Sequence, residues 1–136
     1  MKKVLIALAL CMVMVLAVAG PVFARTQGAH LWPVAADPGG GSVLFVNSGG
    51  GSSLVLVVSL KGLTANTLYT IDLEVDPAGV PPPISVTLGT ITTNSKGHAS
   101  FHDNRVFVGG TYDLRVVVKR SGTAKFMSSW VEMTFK

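Results

Sequence analysis

The chain has 136 residues, of which 49% are hydrophobic types, 13% are charged and one is a cysteine. This composition excludes a disordered tail, a disulfide-stapled mini-protein and a multidomain enzyme. The formal net charge of +4 is basic, but no run of cations is longer than two residues, as in Lys119-Arg120. Because a nucleic-acid footprint needs many clustered cations, nucleic acid is excluded as a partner.

Residues 1–24 have the layout of a secretory signal peptide. Lys2 and Lys3 form a short positive region, an uncharged apolar run follows over residues 4–19, and Gly20-Pro21 ends any helix. The run is shorter than the roughly 20 residues that span a bilayer. We therefore expect cleavage after Ala24, with an uncleaved anchor as the alternative.

Removal of the leader leaves a length that suits one compact domain. We divide the chain into a signal peptide (1–24), an N-terminal segment (25–41) and a β-sandwich domain (42–136). The cysteine, Cys11, lies within the leader, so the mature chain has no disulfide. The sequence predicts a secreted or cell-envelope protein whose mature chain has no membrane span.

Beyond the leader, apolar residues alternate with polar ones, which predicts β-strands with one dry and one wet face. In residues 69–76 the polar face carries Asp72, Glu74 and Asp76. In residues 112–119 it carries Arg115 and Lys119. If these two strands are neighbours, we expect charge pairs between them.

Two breaks in this alternation predict irregular strands. One falls at Gly89 and indicates a bulge; the other falls at Ser128-Ser129, within residues 125–135, and indicates a bulge or an edge kink. The last strand is apolar, and an exposed apolar edge strand can pair with other chains and cause aggregation. We expect it either to pair with a partner or to be covered by the N-terminal segment.

Short strands separated by turn residues predict an all-β fold, an antiparallel immunoglobulin-like β-sandwich of seven to eight strands. The stretch LKGLTANTLYT, residues 60–70, resembles the "L-x-G-L-x-x-x-T-x-Y" segment of fibronectin type III and related immunoglobulin-like sandwiches. The resemblance implies that Leu60 and Leu63 are core residues and that Tyr69 opens the next strand. Residues 88–97 and 109–116 are similar to segments of many small secreted β-sandwich proteins of bacteria. Neither likeness implies a functional residue.

The histidines and carboxylates predict no metal site or other cofactor site. His98 and His102 share one face of a short strand, about 13 Å apart, which is too far for one ion. Asp72, Glu74 and Asp76 lie along one face at roughly 6.5–7 Å intervals. That spacing is also found in glycosidases and in weak Ca²⁺ sites, but alternation with a dry face predicts a solvated surface. A weak metal-binding protein stays an alternative.

Nucleophilic catalysis has no motif in this chain. There is no Gly-x-Ser-x-Gly elbow, and no cysteine follows the leader. A Ser-His-Asp set assembled by folding is a question of geometry that sequence leaves open. We predict a protein that is not an enzyme and has no catalytic residue.

Aromatic side chains are the remaining candidates for ligand recognition. Trp130 has the opposite parity to the apolar residues that follow it, so it is expected to point outward, with Phe126 nearby. Together they would offer a surface for stacking sugars or docking a protein. We expect an exported, non-enzymatic β-sandwich with a binding or structural role, whose partner is a protein or a glycan. The alternative is a dedicated carbohydrate- or peptide-binding module.

Overall fold

The computed structural model describes residues 25–34, 37–47, 51–77 and 82–136. The predicted signal peptide, residues 1–24, lies outside these ranges. The described residues form strands and no helix: β1 (Arg25–Pro33), β2 (Gly40–Asn47), β3 (Ser53–Lys61), β4 (Leu68–Pro77), β5 (Ile84–Thr92), β6 (Ala99–Val106), β7 (Gly110–Arg120), β8 (Thr123–Ser128) and β9 (Val131–Phe135). The all-β prediction is confirmed. The described ranges hold nine strands rather than seven or eight, because β1 precedes the predicted domain and the last predicted strand is split.

All nine described strands join one antiparallel sheet in the order β5-β4-β7-β8-β1-β2-β3-β6, and β9 pairs with β7 beyond the end of β8. The sheet curls until its two end strands, β5 and β6, approach each other. The result is nearly barrel-shaped and is compatible with a β-sandwich. No helix among the described residues has the length and hydropathy of a membrane span.

A single hydrophobic core fills the inside of the curled sheet. Alternate residues of β3 point inward, so that Leu54, Leu56, Val58 and Leu60 are each at most 1% exposed. The inward residues of the facing strands β4 and β7 are also buried; they include Tyr69, Ile71, Leu73, Leu114, Val116 and Val118. Leu60 and Leu63, which the family resemblance placed in the core, are confirmed there, and so is Tyr69, which the alternation put on the dry face of its strand. Period-two patterning therefore sets which side of each strand is dry.

The predicted bulge at Gly89 is present on β5, at the level where β5 approaches β6. The β4–β5 register shifts between Ile71, which pairs with Gly89, and Asp72, which pairs with Thr87. A side chain at position 89 would lie 3.1 Å from the ring of Phe101 on β6. Glycine leaves room for that ring, so the two end strands meet at this level without direct pairing.

The N-terminal strand covers the last strands, which is one of the two arrangements expected from their apolar character. Leu31, at the end of β1, pairs with Ser128 of β8. Along β9, two side chains take the place of backbone pairing. Gln27 of β1 donates to the carbonyl of Glu132 at 3.0 Å, and the buried Asn47 of β2 donates to that of Thr134 at 2.9 Å. These bonds satisfy carbonyls along the otherwise free edge of β9.

Candidate functional site

The outer surface of β1, β8 and β9 carries two exposed tryptophans. Trp32 on β1 is 60% exposed, and Trp130, in the break between β8 and β9, is 41% exposed. Trp32 pairs with Met127 of β8, and Trp130 follows Met127 by three residues. Strand spacing therefore places the two Cα atoms roughly 10 Å apart on one face. We call Trp32, Trp130, Met127, His30 and Arg115 the tryptophan patch.

Arg115 holds Trp130 against the outer face. Its guanidinium carbon lies 4.4 Å from the centre of the indole ring, a cation–π contact. On its other side, Nε of Arg115 donates to Oε2 of Glu74 at 2.6 Å. The indole is thus held by an Arg115–Glu74 ion pair. Because its side chain is already ordered, less conformational entropy is lost when a ligand binds.

His30 supports Trp32 in a similar way. The two rings are two residues apart on β1, and their centres lie 4.4 Å apart with planes inclined at 64°, an edge-to-face contact. Both residues point outward, because Leu31 between them is fully buried. Trp32 therefore presents a partly fixed ring to solvent.

Phe126, which the sequence placed on the ligand surface beside Trp130, does not belong there. It is 0% exposed and lies in the core. Between β8 and β9, Ser129 and Trp130 intervene where β7 supplies only Arg115, so the alternation changes phase. Even-numbered residues point inward before the break and outward after it. The predicted break at Ser128-Ser129 is confirmed, but its effect on Phe126 was missed.

A row of small polar residues continues from the tryptophan patch across the sheet. His30 pairs with Ser42, Ser42 with Ser59, and Ser59 with Ser100, so one residue from each of β1, β2, β3 and β6 lies in line. All four point outward, since their neighbours along each strand point into the core. We call Ser42, Ser59 and Ser100 and the surface around them the serine trough.

Two shallow depressions occupy the serine trough and share Ser59. The first has a volume of about 490 Å³ and lies between His30 and Val57. The second has a volume of about 380 Å³ and extends from Ser59 to Asn94 and His98 at the far end. The first depression also covers the next row, where Gly28, which has no side chain, lies beside Leu44 and Val57.

The acidic residues of β4 are engaged by cations of the neighbouring strand. Lys119 Nζ lies 2.7 Å from Oδ2 of Asp72, and Arg115 pairs with Glu74 as described. The predicted charge pairs between these strands are therefore confirmed. Asp76 lies opposite Asp113. Within the described ranges, no group of three or more His, Cys, Asp or Glu side chains is arranged to hold a metal ion.

The histidines and serines do not assemble a catalytic triad among the described residues. Ser100 Oγ and His102 Nε2 are 3.5 Å apart on the outer face. Asp103, next in the chain, points to the opposite face and binds Nε of Arg105 at 2.7 Å. The Ser100–His102 contact therefore lacks the third group that orients the imidazole of a triad.

Sequence reasoning missed Trp32, His30 and the three serines as surface partners. They lie on four strands, β1, β2, β3 and β6, and the pairing register brings the residues of these strands together. A comparison with protein-family models, curated proteins and solved structures found no match for this chain.

Proposed function

We propose that the protein is an exported, non-enzymatic carbohydrate-binding module whose ligand stacks on the tryptophan patch. The observation that carries the proposal is the pair of exposed, supported indoles, Trp32 and Trp130, on one face of the sheet. The apolar faces of sugar rings stack on indoles, while sugar hydroxyls bond to neighbouring polar groups such as His30. Export rests on the leader sequence, and the immunoglobulin-like class rests on the buried Leu60, Leu63 and Tyr69.

The exposed indole area sets the scale of the affinity. A tryptophan has about 200 Å² of surface to bury, so covering the 60% and 41% that are exposed removes roughly 200 Å² from water. At about 25 cal/mol per Å² this corresponds to about 5 kcal/mol before the costs of association. Because 5 kcal/mol corresponds to a dissociation constant of about 0.2 mM, and the costs of association reduce this gain, we expect single-site dissociation constants weaker than about 0.2 mM.

A protein or peptide is the competing partner, since tryptophan and arginine are frequent at protein interfaces. The surroundings favour a glycan, because Arg115 is already bound to Glu74 and the row from His30 to Ser100 beside Trp32 presents serine hydroxyls and an imidazole and no carboxylate. A peptide partner would find few buried anchors here, whereas a sugar uses hydroxyls and flat apolar faces.

Binding can be tested with a glycan array, followed by titration of intrinsic tryptophan fluorescence with the glycans that score. We expect Trp130→Ala and Trp32→Ala each to weaken binding at least about tenfold. Leu68→Ala, which changes a residue that is 57% exposed on β4, is the matched control and should bind like the parent. Binding to no glycan, or full binding by the double tryptophan variant, would contradict the proposal. Capture of a defined peptide on the same tryptophans would replace it.

A further inference from the structure

The serine trough is elongated across the strands, whereas the tryptophan patch defines no long axis for a ligand. It crosses the strands at a right angle, and each strand it crosses contributes one residue of the row: His30, Ser42, Ser59 and Ser100. Three strand spacings separate the first residue from the last, a distance of about 15 Å. The trough is therefore long enough for several sugar rings in line.

The chemistry of the trough suits an uncharged chain of hydroxyls. Serine hydroxyls both donate and accept hydrogen bonds, and here they recur at the strand spacing of about 5 Å, a length close to that of one pyranose ring. Leu44 and Val57 form an apolar wall on one side. Lys61 and His98 stand near the far end, and the row itself carries no carboxylate.

We propose that the site takes an uncharged, linear oligosaccharide that lies across the strands, with one end on Trp32 and the rest along the serine trough. This inference rests on the proposed function and adds to it the ligand's charge, its shape and its orientation. At least three sugar units are needed to reach from Trp32 to Ser100. Shorter ligands contact only the tryptophan patch.

The test is a chain-length series measured by isothermal titration calorimetry. The probes are cello-oligosaccharides and chito-oligosaccharides of two to six units, with oligogalacturonate as the acidic counterpart. We expect affinity to rise about tenfold between two and four units and then to level off. In Ser59→Val the rise should disappear, because a larger side chain without a hydroxyl fills the shared point of the two depressions.

Matched variants separate this inference from the proposed function. Ser53→Val makes the same change on the outer face of the same strand, outside the trough, and should keep the rise with length. Trp32→Ala should weaken binding at all lengths. Affinity that does not depend on length, or tighter binding of oligogalacturonate, would overturn the trough and leave the tryptophan patch standing. Binding of no oligosaccharide in the series would overturn the trough together with the proposed function.

Discussion

The outer surface of the sheet divides into two faces with different chemistry. On β4 and β7, Asp72 contacts Lys119 at 2.7 Å and Glu74 contacts Arg115 at 2.6 Å. On β1, β2, β3 and β6, the outward residues that the structure describes carry hydroxyl, imidazole, amide and apolar groups, and Lys61 is the one charged side chain among them. On the first face these four charged groups pair with each other; the second face is turned to solvent.

This difference shows why exposure alone is a poor guide to function. Both faces include exposed side chains, although Asp72 on the first face is only 3% exposed, and most of the exposed surface of a protein binds nothing. On β4 and β7 the two ion pairs engage Asp72, Glu74 and their cations within the fold, so these groups have little left to offer a ligand. On the other face, Ser42 and Trp32 present hydroxyl and indole surface that the fold does not use. The two faces should therefore respond differently to mutation, one in stability and the other in binding.

The largest expected contrast is between Phe126→Ala and Trp130→Ala. Phe126 is 0% exposed, so its loss leaves a cavity and should destabilise the fold by about 3–5 kcal/mol. Trp130 is 41% exposed and should cost only about 1 kcal/mol. Urea unfolding followed by circular dichroism measures both. Phe126→Leu serves if the alanine variant does not fold, with an expected cost of about 1 kcal/mol. Equal losses at the two positions would mean that Trp130 is a structural residue.

The next contrast compares the stability of two lysine-to-methionine variants, one on the charged face and one on the other face. Asp72 is 3% exposed, so Lys119→Met leaves a buried carboxylate without its cation and should destabilise the protein by about 1–2 kcal/mol. Lys61→Met, on the exposed end of β3, should change stability by less than about 0.5 kcal/mol. Urea midpoints of the two variants give the comparison. Similar midpoints would remove the distinction between the faces.

Properties confined to one strand, or to two strands that the alternation pattern could match, were predictable. The alternation placed Asp72 and Glu74 on the outer face of one strand, and it placed Arg115 and Lys119 on the outer face of another. The structure pairs these acidic and basic side chains. The break at Gly89 was visible because an apolar residue falls on the wrong parity after it. These inferences need only local geometry.

Properties that depend on register were not predictable. Ser42, Ser59 and Ser100 are ordinary polar positions until three separate pairings align them. Phe126 was misplaced for a related reason: a break in alternation is visible in sequence, but the number of residues it absorbs is not. Because of the one extra residue beside Trp130, the inward side chains of β8 have the opposite parity to the inward side chains of β9.

The smallest expected effect lies where the two faces meet, at the ion pair beneath Trp130. Glu74→Gln removes the carboxylate but keeps the cation–π contact of Arg115, so the loss should be about 0.5–1 kcal/mol at low salt. Since salt screens the partly exposed pair, the difference from the parent should shrink when urea unfolding is repeated in about 1 M NaCl. Glu132→Gln is the matched control, because Glu132 has no ion pair with a described residue; it should be neutral at both salt concentrations. A loss at Glu74 that salt does not reduce would show that Glu74 acts by shape or neutral hydrogen bonding, and that the charged face is not held by its charges.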